Sequence, residues 1–264
     1  MAIPKTISVD IINRLNGLAE SGEKLSPFED ARFKRDLEAL KSKELSVGLM
    51  AFGVFYALTG NAEKAIEYHV HSIDAGGRLA FFYKNFAISL KHLGLYSRAL
   101  DNYFEAAKRD MADRSTIMKA AELVSYAGKF SEFSAMLNSY LKATQDESIM
   151  DEYRIANILE VKDDLAKLGL DEESYAHACS KAEQVTLKHG LKTTECIVNT
   201  LHSDGHDYIC IELRVKCSGE MLSIMNDDLA TAIAEDIEFS YWNKIIHVFT
   251  YASHSPTETK LSAA

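Results

Sequence analysis

Three stretches of the chain repeat one pattern of apolar and polar positions. Gly60, Gly94 and Gly128 lie 34 residues apart, and each stands between two segments whose apolar residues recur at helical spacing. The segments align without gaps as LMAFGVFYALTGNAEKAIEYHVHSI, YKNFAISLKHLGLYSRALDNYFEAA and IMKAAELVSYAGKFSEFSAMLNSYL. Between Ser46 and Glu147 the pattern therefore predicts three pairs of helices, each turning at a glycine.

The residues at fixed places in these segments resemble the tetratricopeptide repeat, a helix–turn–helix unit of the same length. On the first helix of each pair, the places of that family are filled by Leu49, Phe52, Gly53 and Tyr56, by Tyr83, Phe86, Ala87 and Leu90, and by Ile117, Ala120, Ala121 and Val124. On the second helix they are filled by Ala65 and His69, by Ala99 and Tyr103, and by Phe133 and Leu137. The resemblance implies a mainly α protein built as a helical-repeat array.

Two departures from the family pattern matter for packing. Phe133 stands where two helices need a small residue to approach closely, which predicts that the third pair is splayed or forms a transition to the segment that follows. The family's closing proline is absent, with Gly77, Met111 and Gln145 in its places. The alternative interpretation is a generic array of helical hairpins whose period is accidental.

Stacked helix pairs of this kind wind into a superhelix with a concave surface lined by the first helices. The resemblance implies a partner-binding surface there, formed by Met50, Val54, Phe81, Lys84, Asn85, Ile88, Lys91, His92, Met118, Lys119, Glu122 and Tyr126. Asn85 and Lys119 occupy two places of a carboxylate clamp found in some members of the family, while other clamp places are not matched. The alternative for these lysines is a solvated helix face.

The array has a helical segment on either side. Residues 8–45 predict a degenerate first unit, in which Ser26 caps a helix that begins at Pro27. Residues 148–190 predict two further helices that end near Gly169 and Gly190. Together these segments define a predicted helical-repeat domain from residue 1 to residue 190.

From Thr193 the sequence changes to strand-like segments. An Asp204-Gly205 turn predicts a hairpin that pairs Ser203 with His206 and Thr200 with Ile209. One face, carrying Val198, Thr200, Ile209, Ile211 and Leu213, is expected to be buried. A helix, continuous or broken and recapped near Asn226–Asp228, and a third strand through residues 245–249 complete a small α+β module at 191–254. Residues 255–264 predict a flexible tail.

Composition narrows the classes of function. The net charge of −10 argues against a nucleic-acid-binding protein, because such a protein needs a concentrated basic face. The first residues lack the apolar core of a signal peptide, and no run of about 18 apolar residues predicts a membrane span. Four cysteines without a C-x-x-C pair indicate reduced thiols in a cytoplasmic protein.

Candidate chemistry is confined to the C-terminal module. His202, His206 and Asp207 crowd the predicted hairpin tip, where imidazole and carboxylate can bind a divalent ion, although the turn places the two histidines on opposite faces. Cys210 is a candidate thiol nucleophile only if an imidazole lies beside it. Because the sequence has no phosphate-binding loop or hydrolase motif, we assign no catalytic residue, metal or cofactor.

The first functional hypothesis is a non-enzymatic protein that binds a protein or peptide on the concave surface of the helical-repeat array. A narrower version is an acidic neutraliser of a basic partner, similar to an immunity protein or antitoxin. Exposed strand edges in the small sheet could also pair with a partner or with a second copy, giving a homodimer. The alternative hypothesis is a small metal- or thiol-dependent enzyme with its site in the α+β module.

Overall fold

A computed structural model describes residues 7–21, 24–203, 206–236, 241 and 243–252, with residues 7–9, 202, 203 and 206 described by their backbone alone. It confirms the predicted fold class, a mainly α helical array followed by a small α+β module. The chain forms two compact units, Met1–Ile158 and Leu159–Ala264. The predicted Asp204-Gly205 turn and the predicted tail lie outside the described residues.

The first unit is an array of antiparallel helices. They are α1 (Ile7–Ser21), α2 (Pro27–Lys43), α3 (Leu45–Leu58), α4 (Ala62–Ala75), α5 (Ala80–His92), α6 (Tyr96–Arg109), α7 (Arg114–Ala127) and α8 (Phe130–Thr144), followed by a 3₁₀ turn (Glu147–Asp151). The second helices α4, α6 and α8 begin at residues 62, 96 and 130, which is the 34-residue period read from the sequence. Helix α9 (Tyr153–Lys167) runs across the boundary between the units.

The three glycines share one backbone conformation. Gly60, Gly94 and Gly128 have φ angles of 80°, 80° and 69°, which a side chain rarely tolerates. In the first two turns the residue after the glycine donates its N–H to the carbonyl five residues earlier, Asn61 to Tyr56 and Leu95 to Leu90. The predicted helix–turn–helix pairs are therefore confirmed, with left-handed glycines closing their first helices.

Small residues let the paired helices approach, as predicted. Ala65 and Ala99 are buried at the contacts of α4 and α6 with their first helices. Phe133 is completely buried on α8, where its ring occupies the place of those alanines. Helices α7 and α8 come close over less of their length than α3 and α4 or α5 and α6 do, so the predicted splay is present.

A buried polar pair joins the first two helix pairs. His69 Nε2 lies 2.8 Å from Ser89 Oγ, and the imidazole stacks on Phe86 with ring centroids 4.9 Å apart. A Cβ atom added at Gly53 would lie 2.5 Å from the His69 ring. Burial lowers the pKa of His69 to about 3, so the ring is neutral inside the array.

The N-terminal helices follow the predicted signals in part. Ser26 and Glu29 form a capping box at the start of α2, and Pro27 occupies its first turn. Phe33 and Leu37 pack with α1 and α3 in one apolar cluster. Ala31, one repeat length before Ala65, is exposed, so this pair does not use a small residue at that place.

The second unit is a three-stranded sheet with helices on one face. Its elements after α9 are α10 (Glu172–Lys188), β1 (Thr193–Ser203), β2 (His206–Val215), α11 (Gly219–Ala234) and β3 (Ile245–Tyr251). Strands β1 and β2 are antiparallel, β3 joins β2 in parallel, and α11 is the crossover between them. The predicted pairs Ser203–His206 and Thr200–Ile209 are confirmed.

Helix α11 is continuous and is capped by Ser218 rather than by Asn226 or Asp227. The predicted buried face of the hairpin carries the buried side chains of Val198, Ile209, Ile211 and Leu213. Helices α10 and α11 both pack on β3, so α10 belongs to the second compact unit, which begins at Leu159 where the sequence pattern suggested a boundary at 190.

Candidate partner-binding surface

Helix α5 carries two exposed apolar side chains on one face. Phe81 is 50% exposed and Ile88 is 42% exposed, and they lie seven residues, or two helical turns, apart. Between them Asn85 donates its side-chain amide to the Phe81 carbonyl at 2.9 Å. Because solvent-exposed aromatic and branched side chains on one stripe are costly unless something covers them, this face is the first candidate for a contact surface.

Two ion pairs join α5 to α7 on this side of the array. Lys84 Nζ lies 2.7 Å from Asp113 Oδ2, and Lys91 pairs with Glu122. Lys91 follows Lys84 along α5, and its partner Glu122 follows Asp113 along α7, so the two helices run parallel. Burial alone would raise the pKa of Asp113, but the hydrogen bonds from Lys84 and Thr116 outweigh it and lower that pKa. The positive charge of each lysine is therefore balanced by a carboxylate of the same chain.

Lys119 differs from these two lysines. It is half-buried on α7 and makes no ion pair or hydrogen bond with any described residue. Lys119 lies one helical turn after the exposed Ser115 on α7, and the neighbouring helix α5 carries Phe81 and Ile88. The candidate surface therefore combines an apolar stripe with one cation whose charge is available.

The other residues predicted for this surface fall into two groups. Met50 is only 3% exposed, because α3 is apolar on nearly all sides and turns this residue into the core, so Met50 does not belong to an accessible surface. Val54 packs against the N-terminal apolar cluster. The half-buried remainder are His92, Met118, Glu122 and Tyr126. The Tyr126 ring stacks on Tyr96 with centroids 4.6 Å apart.

Sequence reasoning missed Asp113 as the partner of Lys84. A signal was present, since Lys84 and Asp113 are 29 residues apart and Lys91 and Glu122 are 31 apart, each slightly less than one repeat. Opposite charges at that separation on successive first helices are placed to meet when the helices stack in parallel. We define the first-helix surface as Phe81, Asn85, Ile88 and Lys119.

The candidate metal-binding and nucleophilic residues of the second unit lie on strands β1 and β2. The side chains of His202 and His206 lie outside the described residues, and Asp207 is exposed. Cys210 is half-buried, and burial together with Glu212 raises the pKa of its thiol. A nucleophilic cysteine needs a lowered pKa, so the surroundings of Cys210 oppose that role.

A cysteine–histidine pair lies deeper in this unit. Cys179 Sγ is 3.7 Å from His247 Nε2, and both residues are buried. Burial raises the pKa of Cys179 and lowers the pKa of His247 to about 3. Both shifts favour the neutral thiol and neutral imidazole, which is the packing of a small apolar side chain against a ring rather than a thiolate–imidazolium pair.

In the described part of the chain, histidine, cysteine and carboxylate side chains do not gather in threes with the geometry of a metal site. None of the helices in that part has the length and apolar character that crossing a bilayer requires. Comparison of the chain with family models, curated proteins and solved structures found no match.

Proposed function

We propose that this protein is a non-enzymatic binding protein of the tetratricopeptide-repeat type, which holds a protein or peptide partner on the first-helix surface. The observation that carries the proposal is the exposed pair Phe81 and Ile88 on a rigid helix of a repeat array. Repeat arrays of this kind bind along the face of their first helices. The left-handed glycines and the 34-residue recurrence of α4, α6 and α8 support the assignment.

The charges on this surface define the chemistry of the partner. Lys84 and Lys91 are paired with Asp113 and Glu122, so they add little attraction for an acidic group. Lys119 has no such partner in the part of the chain that the structure describes. The partner that fits has apolar side chains about two helical turns (~10 Å) apart, to meet Phe81 and Ile88, and one carboxylate near Lys119.

Affinity purification from the native cell tests the proposal. The double variant Phe81→Ser/Ile88→Ser is expected to recover at least about tenfold less partner, because buried aromatic and aliphatic anchors dominate binding energy. Lys119→Ala is expected to weaken recovery and to reduce its dependence on salt.

Matched controls lie elsewhere in the array. Val70, on α4, is 44% exposed, and Arg98, on α6, is exposed and makes no side-chain contact with a described residue. Val70→Ser and Arg98→Ala therefore repeat the chemical changes away from the first-helix surface and should leave recovery intact. Equal recovery by Phe81→Ser/Ile88→Ser and the native chain would remove this surface from the function.

A narrower form of the proposal is the acidic neutraliser of a basic partner. Its support is the net charge of −10, and it requires that binding weaken steeply as salt rises from about 0.05 M to about 0.5 M. The four free cysteines favour a reducing compartment, so we place the protein in the cytoplasm. Fractionation of the native cell checks that location.

A further inference from the structure

The outer edge of β3 has a defined set of backbone groups. The Lys244 carbonyl accepts from Ile209 and the Ala252 N–H donates to Val215, so the even-numbered residues of this segment turn their backbone groups toward β2. The odd-numbered residues therefore turn theirs away from the sheet. Among the described residues β3 has a strand on one side only, so those groups form an open edge.

Asn226 closes this edge at one residue. Its side-chain oxygen accepts from Phe249 N–H at 2.8 Å, and its amide nitrogen donates to the Phe249 carbonyl at 3.0 Å. The Asn226 side chain, on α11, thus makes the same pair of hydrogen bonds that a neighbouring strand would make.

The next odd-numbered position has no such cover. His247 is 9% exposed, and neither its N–H nor its C=O has a partner among the described residues. Further along, the Ile245 N–H is already taken by the Tyr241 carbonyl. Backbone groups of folded proteins are almost always paired, so the N–H and C=O of His247 are available to a partner from outside the strand.

A cleft of about 640 Å³ opens beside that position. One wall is β3, and the other is the face of α11 that carries Leu229, Ala230, Ile233 and Ala234. The volume lies in the range of clefts that bind small ligands and short peptide segments. An extended segment entering the cleft would find a free backbone edge on one side and apolar side chains on the other.

The α11 segment beside the cleft is acidic, although only Asp236 of its carboxylates lines the cleft itself. From Gly219 to Asp236 the segment contains Glu220, Asp227, Asp228, Glu235 and Asp236 and no lysine or arginine. Asp228 is paired with Lys188 and His189, and Asp236 with His177 and Lys181. Asp227 is exposed and has no side-chain partner among the described residues, and it precedes the cleft residue Ala230 by three positions on α11.

We propose that this cleft binds an extended peptide segment of a partner protein, with alternating apolar and basic residues, by backbone pairing at His247. Apolar side chains enter the cleft and a lysine or arginine meets Asp227. A second copy of β3 fits poorly, because a two-fold pairing centred on His247 would place Phe249 opposite Ile245. In each copy Asn226 already holds Phe249, and Tyr241 holds the Ile245 N–H.

The test uses the full chain and a fluorescently labelled peptide, Val-Lys-Val-Lys-Val-Lys, with Val-Glu-Val-Glu-Val-Glu as its charge-reversed counterpart. Fluorescence anisotropy measures binding, and amide hydrogen exchange followed by NMR reports protection of the His247 N–H. The expected result is that the lysine peptide binds, that it slows exchange at His247, and that the glutamate peptide binds at least about tenfold more weakly.

Two tryptophan variants locate the site. Ala230→Trp places a large ring against the cleft and should weaken binding of the lysine peptide at least about tenfold. Ala31→Trp makes the same change at an exposed position of α2, away from the cleft and from Asp227, and should leave binding unchanged. Lys119→Ala should also bind the peptide normally, which separates this site from the first-helix surface.

Unchanged exchange at His247 on saturation with the peptide would overturn the proposal, and so would equal binding by both peptides. Concentration-dependent dimerisation of the native chain, measured by analytical ultracentrifugation and abolished by Ala230→Trp, would overturn it in favour of a second copy as the occupant.

Discussion

Gly53 and His69 depend on each other at the scale of single residues. The imidazole lies where a Cβ atom of residue 53 would be, at 2.5 Å, so the close approach of α3 and α4 requires a glycine there. Repeat resemblance pointed to Gly53, because the family places a small residue at that position. The sequence did not indicate that His69 would be buried and neutral beside Ser89. The repeat pattern places an aromatic residue at position 69, but it does not show which residue the imidazole would contact.

Gly53→Ala is expected to destabilise the first unit by about 1–3 kcal/mol, because the added methyl group must displace a packed ring. Urea unfolding followed by circular dichroism measures the change. Gly17→Ala is the matched control, since a Cβ at Gly17 in α1 meets open space. That control should gain about 0.5–1 kcal/mol from reduced backbone entropy. Equal effects of the two substitutions would show that the His69 contact is unimportant.

At the scale of elements, β3 shows how a helix side chain can protect a strand edge. The strand IIHVFTY has no lysine, glutamate or proline to discourage pairing with other chains. Asn226 takes over this role at Phe249. Sequence reasoning identified Asn226 only as a possible helix cap, because an asparagine near a helix start has that meaning far more often than contact with a distant strand.

Asn226→Ala is expected to expose the Phe249 edge and cause the protein to self-associate through β3. Sedimentation velocity should show a larger species whose share rises with concentration, and the monomeric fold should lose about 1–3 kcal/mol from the unpaired backbone. Asn102→Ala is the control. The Asn102 amide donates to the Arg98 carbonyl of its own helix, as the Asn226 amide does to the Leu222 carbonyl, but Asn102 has no hydrogen bond to any described strand. A strictly monomeric Asn226→Ala protein would show that the edge is covered by other means.

Periodicity predicted the helices of the array well because the turn inside each of the three helix pairs contains its own local signal, a glycine with positive φ. It predicted the hairpin register for the same reason, since an Asp-Gly turn fixes which residues pair. The first-helix surface was harder to predict. Lys84 and Lys91 looked available for a partner because the sequence pattern does not show that Asp113 and Glu122 lie within reach. Met50 looked like a surface residue because the resemblance places that position on the concave side.

At the scale of the whole molecule, the described side chains include one buried neutral histidine in each compact unit, His69 in the first and His247 in the second. Burial lowers the pKa of each from 6.5 to about 3. The unfolded chain takes up a proton on these rings as the pH falls below about 6.5, whereas the folded chain does not until about pH 3. Stability that is complete above pH 6.5 is therefore lost through that window.

Between pH 7 and pH 5 the free energy of unfolding is expected to fall by about 2 kcal/mol for each histidine. Denaturant titrations at several pH values measure the slope. His69→Gln and His247→Gln should each flatten it, while His71→Gln, at an exposed position, should not. NMR should find both buried imidazoles neutral down to about pH 4.5. A slope that neither buried substitution alters would assign the acid sensitivity to other groups.

The regular recurrence of helix starts has a consequence for how such a protein can change in length. Because α4, α6 and α8 begin at residues 62, 96 and 130, joining Asn61 directly to Tyr96 removes one complete module and leaves the flanking helices in phase. Duplication of the same 34 residues would add one module without shifting any other contact. Gene rearrangements that cut at these points can therefore lengthen or shorten the array by whole helix pairs while the flanking helices stay in phase.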